Sequence, residues 1–455
     1  MRLDSVRTAL GRAVRVGIFS LVLLALVMPA ASAAATRLWV KRYDGPANQM
    51  DDAAALAFDS VGNVYVAGRS KGAGTLEDYL VIKYGADGTV KWLRQYNGPA
   101  SGSDSARAIA VDNDGNVYVT GRSTGSGTRY DFATIKYDAS GTQKWVERYT
   151  SADYEDEAVD IAIDSSGNVI VTGVSAAKDS GNDFLTIKYG PLGSTKWVQR
   201  YDGPIGEGDK ATGVAVDSEN NVYVTGVSMG DGTEWDYCTI KYSPGGAQLW
   251  VKRWDSPTHK SDGATDIAID DYDFAYVTGY SYLNAANSDF VTICYNRNGL
   301  VKWANRYDGP AHGPDVAWAI AIDGNGVYVT GSSMGQGTDV DYATIRYFRG
   351  GSQTFVRRYS GPARKADVAN AIAAANGSVY VTGFSTGSAS EGDYYTIAYG
   401  GGGGLKWADR YNGPANRFDQ GNAVGVCPTT GNVYVTGGSG GLDTRSDFAT
   451  IKYAP

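Results

Sequence analysis

Four residues stand out because their types could do chemistry where their neighbours in a repeating pattern could not: Arg107, Asp160, Asp266 and Trp318. A guanidinium, two carboxylates and an indole gathered at one concave mouth would suit a polar small molecule, since ligand sites set a few polar groups into a shaped wall. The competing reading pairs them inside the core, Arg107 with Asp160. Two further sets of aspartates recur along the chain. One comprises Asp51, Asp104, Asp156, Asp209, Asp262, Asp315, Asp367 and Asp419; the other comprises Asp78, Asp131, Asp183, Asp236, Asp289, Asp341, Asp393 and Asp447. A ring of carboxylates could ligate Ca²⁺ through oxygen. A residue present in every copy more naturally serves its own copy, by accepting backbone N–H bonds that tie a loop down. No cofactor is expected from the sequence, and Ca²⁺ is the one cation it leaves open.

Other chemistry is sparse. His259 and His312 are the two histidines, too few for a zinc site of the usual kind. H-E-x-x-H does not occur, and no catalytic residue is assigned. Acidic residues are frequent, but none stands out as a pair for glycoside chemistry. "DNDGN" at Asp112–Asn116 lacks the later ligands of a calcium loop and reads as a hairpin turn. The glycine-rich stretches at Gly125 and Gly230 are followed by neither Lys nor helix, so they are loop tips rather than phosphate cradles. Cys238, Cys294 and Cys427 make an odd count, and no pairing is expected among them.

The pattern that these residues interrupt is a repeat. "GNVYVTG" at Gly115–Gly121 returns, slightly altered, at Gly62, Gly167, Asn220 and Gly431, with three looser copies between. Trp39, Trp92, Trp145, Trp197, Trp250, Trp303, Phe355 and Trp407 follow one another every 52 or 53 residues. Self-similarity at that period means a propeller, a solenoid or an array. Each copy carries four strand signals between turn residues, as in "SARAIAVD", "NVYVTG", "DFATIKY" and "KWVERY" of the second copy. Four strands per copy make a propeller blade; they are labelled a to d from the axis outward. Alternate a-strand positions hold small residues (Ala53, Ala55, Ala57; Ala106, Ala108, Ala110), as crowding at an axis requires. These are expected to form one small face.

The chain opens on a d strand, "RLWVKRY", and ends on a c strand, "DFATIKY". Pairing the two would close a ring and leave no open edge. The expected fold is therefore all-β: an eight-bladed β-propeller of four-stranded antiparallel blades, closed by the N-terminal strand joining the C-terminal blade. Loops b–c and d–a are the longer ones and share one side, the default ligand face. The a-strand position that reads Ala54, Arg107, Val159, Thr212, Thr265, Trp318, Asn370 and Asn422 lies near that mouth.

Residues 1–33 read as a secretory signal peptide. Four arginines precede the apolar run "VGIFSLVLLALVM", and Ala31-Ser32-Ala33 gives a small-residue cleavage site. No later segment is apolar enough to span a bilayer. Residues 34–455 are expected to form one propeller domain outside the cytoplasm. Setting aside the leader's four arginines and one aspartate moves the formal net charge from −8 to −11. An acidic exported chain is a poor nucleic-acid binder.

The motif "A-I-A-V-D-x-x-G-N-V-Y-V-T-G" followed by "D-F-x-T-I-K-Y" resembles the bacterial secreted β-propeller repeat (SBBP) family. That resemblance covers essentially the whole chain after the leader. It implies an exported propeller with no defined reaction. The outer-strand "D-G-T-V-K-W" and "S-G-T-Q-K-W" are similar to the tryptophan-docking motif of eight-bladed quinoprotein-like propellers, in which the Trp packs between blades. The vicinal Cys-Cys pair of that group's quinone-dependent dehydrogenases is absent here. The functional expectation is a monomeric, noncatalytic binding or interaction scaffold for a protein or glycan partner. The alternatives are a glycan hydrolase or lyase, a quinone-dependent oxidoreductase, or a structural component of the cell surface.

Overall fold

A computed structural model of the protein describes residues 34–151, 155–177, 181–284, 286–324 and 326–455. The leader lies outside the described residues. Every regular element described is a strand, and there are thirty-two. After β1 (Arg37–Tyr43), the first blade is β2 (Asp51–Phe58), β3 (Val64–Lys71), β4 (Glu77–Tyr84) and β5 (Val90–Tyr96). These pair in chain order as an antiparallel sheet, and six more sheets repeat the arrangement. The eighth sheet has the order β1-β32-β31-β30, with β30 (Asp419–Val426), β31 (Val433–Ser439) and β32 (Asp447–Tyr453). Val40 of β1 lies opposite Ile451 of β32. Each inner strand packs on the next, and that of the first blade also packs on that of the eighth, so the ring is closed. Among the described residues no helix is long and apolar enough to cross a membrane.

The repeated residues explain the repeated blade. The a–b turns place Gly62, Gly115, Gly167 and Gly431 at φ between 70° and 89°, where a side chain would be strained. Asp112 closes its turn by accepting from the backbone N–H of Asp114 and Asn116, the Asn116 amide and the Tyr118 hydroxyl. The outer-strand indoles reach across blades. The Nε1 of Trp92 donates to Ala139 O of the second blade's c–d turn at 3.2 Å, and that of Trp303 donates to Arg349 O at 2.8 Å. The turn glycine packs on the same ring: a Cβ at Gly141 would lie 2.8 Å from the Trp92 indole. One apolar cluster fills each interface between blades, such as Trp92, Tyr65 and Val81 of the first against Ile109, Val119 and Ile135 of the second.

One expectation is corrected. Ala53, Ala55 and Ala57 do not form one face. Ala53 lies opposite Gly68 but Ala55 lies opposite Ala67, so Ala54 is an extra residue, a β-bulge. The bulge reverses the alternation. Ala53 packs with Tyr434 and Phe448 of the eighth blade, whereas Ala55 and Ala57 face the second. The same bulge interrupts all eight inner strands.

Candidate functional site

The bulge sets the geometry of the channel mouth. The final glycine of "NVYVTG" makes it possible: a Cβ at Gly121 would come 2.1 Å from Ser105 O, and one at Gly68 would come 2.0 Å from Asp52 O. The extra residue of each bulge is the variable position, so Ala54, Arg107, Val159, Thr212, Thr265, Trp318, Asn370 and Asn422 form a ring around the mouth.

Four members of this ring stitch neighbouring blades together. Thr212 Oγ1 donates to Ala264 O at 3.0 Å and Thr265 Oγ1 to Ala317 O at 2.9 Å. Asn370 Nδ2 donates to Gly421 O at 3.0 Å and Asn422 Nδ2 to Ala53 O at 2.8 Å. In each case the acceptor is the carbonyl just before the next blade's bulge, a group that an inner strand edge must satisfy somehow.

Asp160 and Asp266 occupy the position one residue on. The Asp160 carboxylate accepts from its own Ile161 N–H and from Val214 N–H of the fourth blade, both at 2.8 Å. Asp266 repeats this with Ile267 N–H at 2.8 Å and Ile320 N–H of the sixth blade at 2.9 Å. Desolvation by the surrounding strands pushes Asp160 up to about 6 and Asp266 up to about 7, against the pull of those N–H donors. Both are clamps between blades. Arg107 does not pair with Asp160: its Nε donates to Glu157 Oε1 of the third blade at 2.6 Å, and Glu157 also lies 3.6 Å from Arg122. The bulge explains this partner, because Glu157 precedes it and Asp160 follows it. Trp318 is 43% exposed at the mouth, and its Nε1 reaches Ser332 Oγ at 3.3 Å. The four singled-out residues therefore belong to one rim without forming one cluster.

A cavity of about 430 Å³ opens at the rim where the eighth, first and second blades meet. Arg69, Arg107, Arg445, Gln420 and Asn422 supply its polar wall, and Met50 and Phe418 supply apolar surface. Asp52 ties this wall, holding Arg69 at 3.1 Å and the Ser446 hydroxyl at 2.8 Å. Sequence reasoning found Arg107 here but missed Arg69, Arg445 and Gln420. Their signal was weak: Arg69 shares its aligned position with Arg122, Arg445 shares its position with Arg129, and the position of Gln420 varies from blade to blade.

The recurring aspartates serve the blades. Each a-strand Asp accepts a backbone N–H from the preceding d–a loop at 2.5–2.7 Å, Gly98 to Asp104 being typical. In seven blades the c-strand Asp pairs with a d-strand arginine at 2.5–3.0 Å. The first blade has Gln95 instead, whose amide donates to Asp78 at 2.8 Å. Burial without a cation raises Asp78 to about 6. Among the described residues, four loci bring three carboxylates within 4.8 Å of one another, for example Asp236, Asp255 and Asp262. In each, an arginine already neutralises one member, here Arg253 on Asp236 at 2.7 Å. His259 and His312 are exposed loop residues held by Asp255 and Asp308 four positions earlier. Cys238, Cys294 and Cys427 are buried and free, and burial pushes the Cys238 and Cys294 thiols up to about 12.

Two stretches, residues 91–127 and 201–232, match the SBBP beta-propeller repeat. An uncharacterized WD repeat-containing protein of Acanthamoeba polyphaga mimivirus is 25% identical over 236 residues, 45% of this chain. The match spans only 14% of that relative's length. Among solved structures, the periplasmic gluconolactonase of Pseudomonas aeruginosa aligns over 77% of this chain and 95% of its own, at 14% identity and a TM-score of 0.48. A chain of the Drosophila Plexin A–Semaphorin 1b complex aligns over 93% of this chain and 88% of its own, at 9% identity and a TM-score of 0.44. The eight closed sheets make this chain an eight-bladed propeller, and two of its stretches match the SBBP beta-propeller repeat.

Proposed function

We propose that the protein is an exported, noncatalytic scaffold that holds a protein or glycan partner on its long-loop face, acting as a monomer outside the cytoplasm. The observation that carries this reading is the 430 Å³ rim cavity, with its arginines, amides and two apolar side chains. Two of the three arginines there hold the wall: Arg107 bonds Glu157, and Arg69 bonds Asp52. Groups so tied suit recognition by a fixed surface better than proton transfer, which needs a group free to change its charge. The test is thermal unfolding of the purified protein against metals, a quinone cofactor, oligosaccharides and candidate protein partners. A ligand at about 100 times its Kd adds about 2.7 kcal/mol if it binds only the folded state. The expected result is a stabilising ligand whose effect Arg107→Ala removes. Turnover of a substrate that Arg107→Ala abolishes would replace this reading with an enzyme.

A further inference from the structure

We propose that a second cleft on the same face, between the fourth and fifth blades, binds a neutral saccharide. This deepens the proposed function by naming a ligand class, and it rests on the long-loop face being the binding face. The cleft holds about 420 Å³. Its walls carry three aromatic side chains: Trp235 at the start of the fourth blade's c strand, and Tyr280 and Tyr282 at the end of the fifth blade's b strand. At the corresponding places, no other junction has more than one aromatic. The second-to-third junction has Tyr130 with Val174 and Ala176, and the third-to-fourth has Asn182, Val227 and Met229. The blade therefore does not need these rings.

Two glycines make room for them. A Cβ at Gly208 would lie 2.7 Å from the Trp235 ring, and one at Gly263 would lie 2.7 Å from Tyr280. Neither has a positive φ, so backbone conformation does not call for glycine. At the positions aligned with Gly208 and Gly263 the other seven blades all carry side chains, such as Glu155 and Lys210. Five departures from the repeat thus converge on one cleft. The two tyrosine rings meet edge-on at 5.7 Å. Lys210 Nζ sits 5.8 Å over the Trp235 ring and braces it from the inner strand.

The polar groups at the cleft are fixed in advance. Glu234 accepts from Lys260 Nζ at 3.0 Å and from the Ser261 hydroxyl at 2.6 Å. Asn284 adds an amide. A pyranose ring offers a patch of C–H on one face and hydroxyls around its rim. Aromatic faces bury the first, and amide, carboxylate and ammonium groups bond the second. The charged residues that line the cleft, Glu234 and Lys260, pair with each other and cancel, so the cleft suits an uncharged sugar rather than an acidic one.

The test titrates the purified protein with cellohexaose, xylohexaose, maltohexaose and chitohexaose, following tryptophan fluorescence. At least one is expected to bind saturably. Trp235→Ala and Tyr282→Ala should each weaken it by about tenfold or more, and Gly263→Val, which drives Tyr280 from its seat, should do the same. Leu192→Ser should leave it unchanged, because that exposed c–d-turn residue lines neither cavity. Far-ultraviolet circular dichroism checks that each variant is folded, and the two aromatic variants report independently. The proposal is overturned if none of the four sugars saturates below about 10 mM. It is also overturned if a folded Tyr282→Ala protein binds as tightly as the parent. Sugar binding lost in Arg107→Ala but kept in Trp235→Ala would overturn this cleft while supporting the rim cavity.

Discussion

A carboxylate that bonds two backbone N–H groups on neighbouring blades acts as a rivet, and the channel has two, Asp160 and Asp266. Their consequence is a pH dependence of known sign. Desolvation raises both above the ordinary aspartate range, to about 6 and about 7. The folded state then binds protons that the unfolded state has released, so stability falls as pH rises from about 4 to about 7. Asp160→Asn and Asp266→Asn should flatten that slope. They should also cost about 1–2 kcal/mol at low pH, since an amide oxygen replaces two acceptors; melting temperature across pH 4–8 checks both. The sequence marked these residues as departures but gave Asp160 the wrong partner. Arg107 and Asp160 look adjacent when strands are read by alternation alone. The bulge at Val159 turns them apart and leaves Glu157 to meet the guanidinium.

At the scale of the blade, one network recurs: a d-strand arginine, a c-strand aspartate and a b-strand serine. Arg148 shows it, with bonds to Asp131 Oδ2 and Ser123 Oγ at 2.6 Å each, and to Tyr96 of the blade before at 3.1 Å. The first blade lacks the cation, and burial raises its Asp78 to about 6 with no arginine beside it. Gln95→Arg should restore the network and stabilise the protein by about 1 kcal/mol or more at pH 7, where Asp78 is ionised. At pH 5, with Asp78 mostly protonated, the gain should be smaller; parallel denaturant titrations at the two pH values measure the difference. Strands, turns and the docking indoles were legible because each has a local signature: alternation, glycine at positive φ, a fixed period. The bulge was not, because one extra residue leaves composition and spacing unchanged. Its trace is the glycine ending "NVYVTG", which looks like turn punctuation and is in fact the gap into which the inner strand presses.

At the scale of the molecule, the period gave the blade count, and the d-strand start with a c-strand end gave the closure. The ligand face was legible only as a side of the ring, since cavities form where departures in neighbouring blades meet. β1 is what seals the ring. Removing residues 34–43 should leave β32 with an unpaired edge and strip Asp409 of its ion pair with Arg37. The expected outcome is a lower melting temperature and self-association, read by light scattering after size-exclusion chromatography. The same latch orders events in time. A ribosome makes β1 first and its partner last, so Arg37 waits for Tyr453 through the synthesis of every other blade. At 5–20 residues per second that wait is on the order of 20–80 s. For that interval the nascent chain is an open arc with two bare ends, each a template on which another chain could pair.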